Sequence, residues 1–292
     1  MDFIRKYWRR VFLSVLLFAN ILVWNNVASG AVSSGKLRVA FLNVGQGDSI
    51  YIESPTGTQV VFDGGPDSSV LRELGAVMPF ADHSLDMLVV SHPDSDHFAG
   101  FLDVVGRYSV GAELSPGIIS TTPAYVQLQN ELAEKKVPQI VARAGQVYDL
   151  GGGALLYILF PDRDVSNWET NEGCIVAKLV YGKTAVILNG DSPRNIDRYL
   201  VAEDGPALGE TLEGGETILK VGHHGSKTST DPELVADLKP IAAVISAGAG
   251  NKFGHPNKET LDTLAAAHAP ALITFKEGRI IFQSDGEYFA RI

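Results

Sequence analysis

The chain has 292 residues, 45% of them hydrophobic, a net charge of −10 and a single cysteine, Cys174. One cysteine excludes an intramolecular disulfide and with it a disulfide-stapled fold. The length supports a sizeable core in one large domain or two ordinary ones, and the acidic balance disfavours general nucleic-acid binding, which relies on neutralising phosphates with Lys and Arg.

Residues 1–30 read apart from the rest. Arg5, Lys6, Arg9 and Arg10 stand against Asp2, a net of +3, so the remainder of the chain carries −13. The run "VFLSVLLFANILVW" at 11–24 is apolar, and "NNVASGAVSSG" then turns small and polar. A basic region, an apolar region and a small-residue site near Ala28–Gly30 spell a secretory signal peptide or an N-terminal membrane anchor. Either outcome keeps the basic residues cytoplasmic and puts the body outside. Residues 31–36 form a Ser/Gly-containing linker, and 37–292 read as one domain, since no composition break or internal repeat divides them.

In chain order, β-branched and aromatic runs predict strands at 37–44, 49–54 and 58–64, separated by Gly, Pro and Asp turns. A helix is predicted over 69–78, a short buried strand over 86–91, and helices over 97–107 and 123–136. Strands follow at 154–160, 174–182 and 184–191, then a helix at 193–203 with Pro193 in its first turn. The strand in "ETILKVGHHGSKTS" precedes helices at 231–238 and 257–268 and strands at 242–248, 271–276 and 279–284. This alternation predicts layered α/β with helices covering sheet faces.

The polar residues fall where the strands end: Asp63, Ser91–His92, Gly190–Asp191, His223–His224, and the loop after 248 that carries His255. Strand ends in layered α/β folds converge on one rim. In "HPDSDH", His92, Asp94 and Asp96 alternate and share one side of an extended loop, while His97 sits at the turn into a helix. Imidazole and carboxylate are ligands for divalent metals. Two ions can be divided between His92/Asp94 and Asp96/His97, with a carboxylate such as Asp191 as a bridge, to clamp the oxygens of a displacement.

"SHPDSDHFAG" resembles the signature loop of the metallo-β-lactamase superfamily, with Asp94 where many members have a second histidine. Together with "LNVGQGDSIYI", "VVFDGG", "ILNGDSP", "LKVGHHGSKTS" and "SAGAGNKFGHPN", it resembles the extracytoplasmic hydrolase domain of ComEC-type competence proteins, over about residues 37–292. The resemblance implies a four-layer αββα sandwich, here the hydrolase-like domain alone behind a signal or anchor. It implies two divalent ions: His92 and Asp94 on the first, Asp96 and His97 on the second, Asp191 bridging, and one of the His223–His224 pair completing the second. His224 is the favoured ligand, with His223 as substrate contact or catalytic partner. Asp63 would orient the loop by hydrogen bonds, and Asp94 or Asp96 could orient the attacking water. The family's usual histidine between the signature loop and the bridging aspartate is missing between His97 and Asp191. Asn171 stands where ComEC-like domains carry an asparagine motif. An oxygen-rich first site suggests weak binding there, or Mn²⁺ or Mg²⁺ in place of Zn²⁺.

Ser226, Lys227 and Thr228 could hold a phosphate or simply form a polar loop. His255 is a candidate for substrate contact or proton donation. Asp48 reads as a turn residue or outer partner, Lys220 as ordinary, His83 and His268 as surface or core histidines, and Cys174 as a small buried residue. The resulting expectation is a metal-dependent phosphodiesterase or nuclease acting outside the cytoplasmic membrane on single-stranded DNA, nucleotides or another phosphodiester. The rivals are a non-catalytic DNA-uptake or scaffold module with an impaired site, and, less favoured, a lactamase or other amide or ester hydrolase.

Overall fold

The first three strands each alternate between two buried faces. In β1 (Leu37–Phe41), Val39 and Phe41 point one way and Ala40 the other. In β2 (Ile50–Glu53), Ile50 and Ile52 oppose Tyr51, and in β3 (Gln59–Phe62), Val60 and Phe62 oppose Val61. A strand buried on both faces belongs to a sheet covered on both sides. In the computed structural model, which describes residues 35–209 and 215–292, that sheet has eight strands. The leader and the linker through 34 lie outside the described residues.

The order in the first sheet is β15-β14-β1-β2-β3-β4-β5-β6. Its remaining members are β4 (Ser84–Val89), β5 (Ser109–Ser115), β6 (Gln139–Val141), β14 (Ile280–Ser284) and β15 (Phe289–Arg291). The second sheet runs β13-β12-β11-β10-β9-β8-β7. It comprises β7 (Val147–Gly151), β8 (Ala154–Phe160), β9 (Val176–Tyr181), β10 (Thr184–Asn189), β11 (Glu216–Lys220), β12 (Ala242–Ile245) and β13 (Ala271–Ile273).

Three apolar clusters separate four layers. The central one joins the inner faces of both sheets, with Val39, Phe41 and Phe62 against Leu156, Val186 and Ile218. The second packs the outer face of the first sheet under α1 (Ser69–Val77), α2 (Ser95–Phe98), α3 (Gly100–Arg107) and α4 (Pro123–Glu134). The third packs the second sheet under α5 (Arg194–Gly209), α6 (Pro232–Leu238) and α7 (Lys258–Ala266). This is the expected αββα sandwich.

The parallel pairings position the site. β3, β4, β5 and β6 run parallel in one sheet, and β10, β11, β12 and β13 in the other. Their C-terminal ends therefore open on one rim. There the sheets are stitched by Ile175 N–H donating to Ser91 O at 2.8 Å.

Strands β5, β6, β7 and β15 are additions to the expected elements, and two expected elements have different bounds. The helix predicted from 97 starts at Ser95, so Asp96 and His97 lie inside its first turn, and it breaks at Ala99 before α3. The strand predicted over 271–276 stops at Ile273 and turns into α8 (Thr274–Glu277). Thr274 is buried and its hydroxyl takes the Ala247 N–H at 3.1 Å, which draws the chain out of the sheet.

Gly100 locks the ligand-bearing turn to β3: its N–H donates to Gly65 O at 3.0 Å, and a Cβ there would meet Gly64 O at 2.1 Å. Gly100→Ala is expected to cost at least about 2 kcal/mol in urea denaturation through overpacking, and to weaken divalent-metal affinity in titration calorimetry because α2 must shift with it.

Candidate metal centre

Asp63 follows β3 with φ 63°, the left-handed region, which turns its carboxylate inward. Its Oδ1 accepts the Ser91 N–H at 2.7 Å; its Oδ2 accepts the Ser91 hydroxyl at 2.7 Å and His97 Nδ1 at 2.8 Å. Because the Ser91 proton is committed to Asp63, Ser91 Oγ accepts from His92 Nδ1 at 3.0 Å. His224 Nδ1 lies 3.0 Å from Ser246 O, which can only accept. All three buried histidines thus carry their proton on Nδ1 when neutral and turn an Nε2 lone pair inward, a tautomer assigned from the hydrogen bonds.

What those lone pairs face is the main observation. His92 Nε2, His97 Nε2, His224 Nε2 and Asp191 Oδ1 are buried and have no hydrogen-bond partner. Around them His97 Nε2 and Asp191 Oδ1 are 3.3 Å apart, His224 Nε2 and Asp96 Oδ2 3.3 Å, His224 Nε2 and Asp191 Oδ2 3.6 Å, and His92 Nε2 and Asp94 Oδ2 3.5 Å. Two ligand atoms about 2.1 Å from one ion, at tetrahedral to octahedral angles, are about 3.0–3.4 Å apart. The donor set, its spacing and its anchored outer edges fit divalent metal.

Asp48, His97, Asp191 and His224 also offer one ligand atom each within 4.8 Å of one another. Asp48, however, approaches the Nδ1 edges of His224 at 3.4 Å and of His97 at 3.9 Å, and its Oδ2 is held by Lys220 Nζ at 2.6 Å. It braces the imidazoles from behind. The reading of Lys220 as an ordinary strand residue is therefore overturned: it is fully buried beneath the site, pairs Asp48 and donates to Val221 O at 2.8 Å. The signal for it was a lysine in a strand whose neighbours on both faces are apolar.

Of the remaining candidates, His223 and His255 stand beside the cluster. His223 and His224 both take left-handed backbone (φ 47° and 53°), so the two rings diverge. His223 is partly exposed, with Nε2 3.6 Å from Asp191 Oδ2. His255 lies 5.6 Å from the His223 ring and 6.3 Å from the His224 ring. Thr170 donates to Asp94 Oδ2 at 3.1 Å, and the adjacent Asn171 has a buried Oδ1 without a partner. Ser226 Oγ is used locally, 3.0 Å from Thr228 Oγ1, and Lys227 has an exposed side chain while its N–H donates to Asn257 Oδ1 at 2.9 Å. His83 and His268 are exposed and Cys174 is buried.

Charge is tightly coupled here. Burial pushes Asp191 up, but His224 and His97 outweigh it and hold the carboxyl well below its ordinary range. Burial pushes His224 down, yet Asp191 and Asp48 raise it to about 10. His97 is likewise raised well above 6.5, with Asp191 and Asp63 overcoming burial. At the mouth the sign reverses: burial, reinforced by His223 and His224, lowers His255 to about 4, and burial lowers His223 against the pull of Asp191.

No protein-family model matches the chain. It is similar to ComE operon protein 3 of Bacillus subtilis, 27% identical over 86% of this chain and 33% of that protein. It is also similar to Recombination protein 2 of Haemophilus influenzae, 27% identical over 86% of this chain and 28% of that protein. Competence protein ComA of Neisseria gonorrhoeae is 26% identical over 92% of this chain and 35% of that protein. The chain spans about a third of the length of these curated relatives. Among solved structures, CmlA, a diiron β-hydroxylase from Streptomyces venezuelae, superposes with a TM-score of 0.54 over 88% of this chain and 54% of that one, at 13% identity. Zn²⁺-bound PqqB from Methylobacterium extorquens superposes with a TM-score of 0.51 over 81% of this chain and 97% of that one, at 11% identity. The chain is a metallo-β-lactamase-fold protein. Its sequence relatives are competence proteins of the ComEC type.

Two outcomes are expected. Protons and divalent cations compete for the same Nε2 lone pairs, so metal binding at pH 7 should release protons, read as a dependence of calorimetric heat on buffer ionisation enthalpy. In chelator, the raised His224 stabilises the protein fully below pH 6.5 and loses that contribution as pH rises toward 10. The melting temperature should fall over that window, and the gain on adding metal should grow. Separately, Lys220→Met should cost roughly 3–5 kcal/mol in urea, since it removes the ammonium paired with the buried Asp48 carboxylate, and Lys220→Met with Asp48→Asn should cost less than the two single changes together.

Proposed function

We propose that this protein is a metal-dependent hydrolase of phosphodiesters, of nuclease type, acting outside the cytoplasmic membrane. The observation that carries the proposal is the convergence of the buried, partnerless Nε2 atoms of His97 and His224 on Asp191, with His92 Nε2 beside Asp94 and every outer ring edge already hydrogen-bonded. Such a cluster is expensive unless a cation completes it. In this reading His92, Asp94, Asp96, His97, Asp191 and His224 would hold two divalent ions, Zn²⁺ or Mn²⁺. Bound there, they would supply Lewis acidity toward phosphoryl oxygens and ease deprotonation of water.

The chain's own residues then divide the remaining work. Asp63 and Ser91 fix two imidazoles, and Asp48 with Lys220 braces the His97 and His224 edges. Asp94 and Asp96, both lowered below the usual carboxylate range against their burial, stay ionised and can also accept a proton-bearing group such as water. His223, kept neutral by burial, presents a ring at the mouth for a non-bridging phosphoryl oxygen. His255 is neutral at pH 7, which suits substrate contact better than proton donation to a leaving group. Asn171, next to the Thr170 that bonds Asp94, and Lys227, exposed after the histidine turn, are offered as further substrate contacts; the Ser226 hydroxyl is already occupied by its own turn.

Phosphodiester chemistry is favoured by the resemblance to competence proteins and by the oxygen-rich His92/Asp94 position, which suits a harder ion. The extracytoplasmic assignment rests on the basic and apolar leader at 1–30. Among the described residues no helix is long and apolar enough to cross a membrane.

The test is turnover of bis(p-nitrophenyl) phosphate, single-stranded DNA and duplex DNA by chelator-stripped protein reloaded with Mn²⁺ or Zn²⁺. Metal-dependent cleavage, reduced more than about a hundredfold in Asp191→Ala, is expected. DNA binding without turnover under every metal would overturn the enzyme reading in favour of a non-catalytic uptake module.

A further inference from the structure

Resting on that phosphodiesterase reading, a feature at the rim narrows the substrate. Phe253 is 54% exposed, although it lies in the loop that carries His255. Its ring stacks on His255 (centroids 5.6 Å, interplanar angle 23°), His255 meets His223, and His223 Nε2 is 3.6 Å from Asp191. Among the described residues Phe253 is the exposed aromatic in ring contact with a histidine of the mouth.

The exposure is built in. Asn251 Nδ2 donates to Gly248 O at 2.9 Å and His255 O at 2.6 Å, while its Oδ1 accepts the N–H groups of Phe253 at 3.2 Å and His255 at 3.0 Å. Asn257 ties the same loop to the histidine turn, donating from its N–H to Gly225 O at 2.8 Å and accepting the Lys227 N–H at 2.9 Å. A loop cross-braced this way holds an apolar ring in water at a defined place, which lowers the ordering cost of a ligand that covers it. Lys252 Nζ lies 5.0 Å from the ring centroid and forms no ion pair among the described residues.

We infer that Phe253 is a stacking platform for an unpaired base flanking the scissile phosphodiester, with Lys252 beside it for a backbone phosphate. A flat ring next to a cation, two ring contacts from the ligand cluster, matches the combination by which single strands are held without sequence preference. Bases inside a duplex are stacked and paired, so they reach such a platform only after unpairing. The acidic body, which disfavours long duplexes, points the same way.

The experiment compares kcat/KM of the full chain, loaded with Mn²⁺, on a single-stranded oligothymidylate and on the same backbone with abasic residues, alongside fluorescence anisotropy for both. Wild type should prefer the base-bearing strand, Phe253→Ala should shrink that preference by roughly 5- to 100-fold, and Phe253→Trp should keep it. Equal preference in wild type and Phe253→Ala would overturn the platform while leaving the phosphodiesterase reading intact. Absence of cleavage by wild type with Phe253-dependent binding of the base-bearing strand would remove the phosphodiesterase reading and keep the platform.

Discussion

Asp63 is the contact on which the site depends. One buried carboxylate, set on left-handed backbone at the end of a strand, accepts the Ser91 N–H, the Ser91 hydroxyl and His97 Nδ1. Three donors offset the cost of taking the charge out of water. The same bonds join the end of β3 to the loop after β4 and to the first turn of α2, so the strand ends and the ligand turn cannot shift separately. They also decide which nitrogen of His97 carries the proton, and through Ser91 which nitrogen of His92 does. The orientation and tautomer of His97 and, through Ser91, of His92 therefore follow from this one residue, while Ser246 O sets those of His224.

The second constraint is charge. Asp48, Asp63, Asp94, Asp96 and Asp191 crowd a small volume with one lysine, Lys220, among them. Asp48, Asp63 and Asp191 are buried, and buried carboxylates require cations. Lys220 supplies one permanently. The raised His97 and His224 show where the rest of the positive charge is wanted. The mouth is organised oppositely, with His223 and His255 lowered by burial and by the neighbouring imidazoles. Cation-seeking residues form the floor and neutral rings form the rim, an arrangement suited to an anionic group bridging the two.

Much of this was legible in the residues. Near-continuous β-branched and aromatic runs mark β1 to β3, β9 and β10 as strands, and the apolar runs end at the polar residues that the fold gathers on one rim. Strands β5, β6, β7 and β15 are not legible in the sequence because β5 is half exposed along its first residues and the others are short, partly exposed or edge segments. The strand expected through Thr274–Lys276 failed because a buried hydroxyl found a better partner in Ala247 than in the ladder. Lys220 was misjudged for a related reason: alternation predicts which face a residue takes but not what waits across the sandwich.

The sequence by itself read as layered α/β, with the αββα sandwich implied by its family resemblance, and nominated His92, Asp94, Asp96, His97, Asp191 and the histidine pair, because strand-forming runs and short spacings at strand ends are local properties. The tertiary structure alone decided which edge of each imidazole faces inward, that His224 is buried against Asp96 and Asp191 while His223 reaches the mouth, that Asp48 and Lys220 form the floor, and that Phe253 stands exposed beside His255. Each of these depends on a contact between residues distant in the chain, set by parallel strands from two sheets meeting at one rim, and no local pattern encodes that distance.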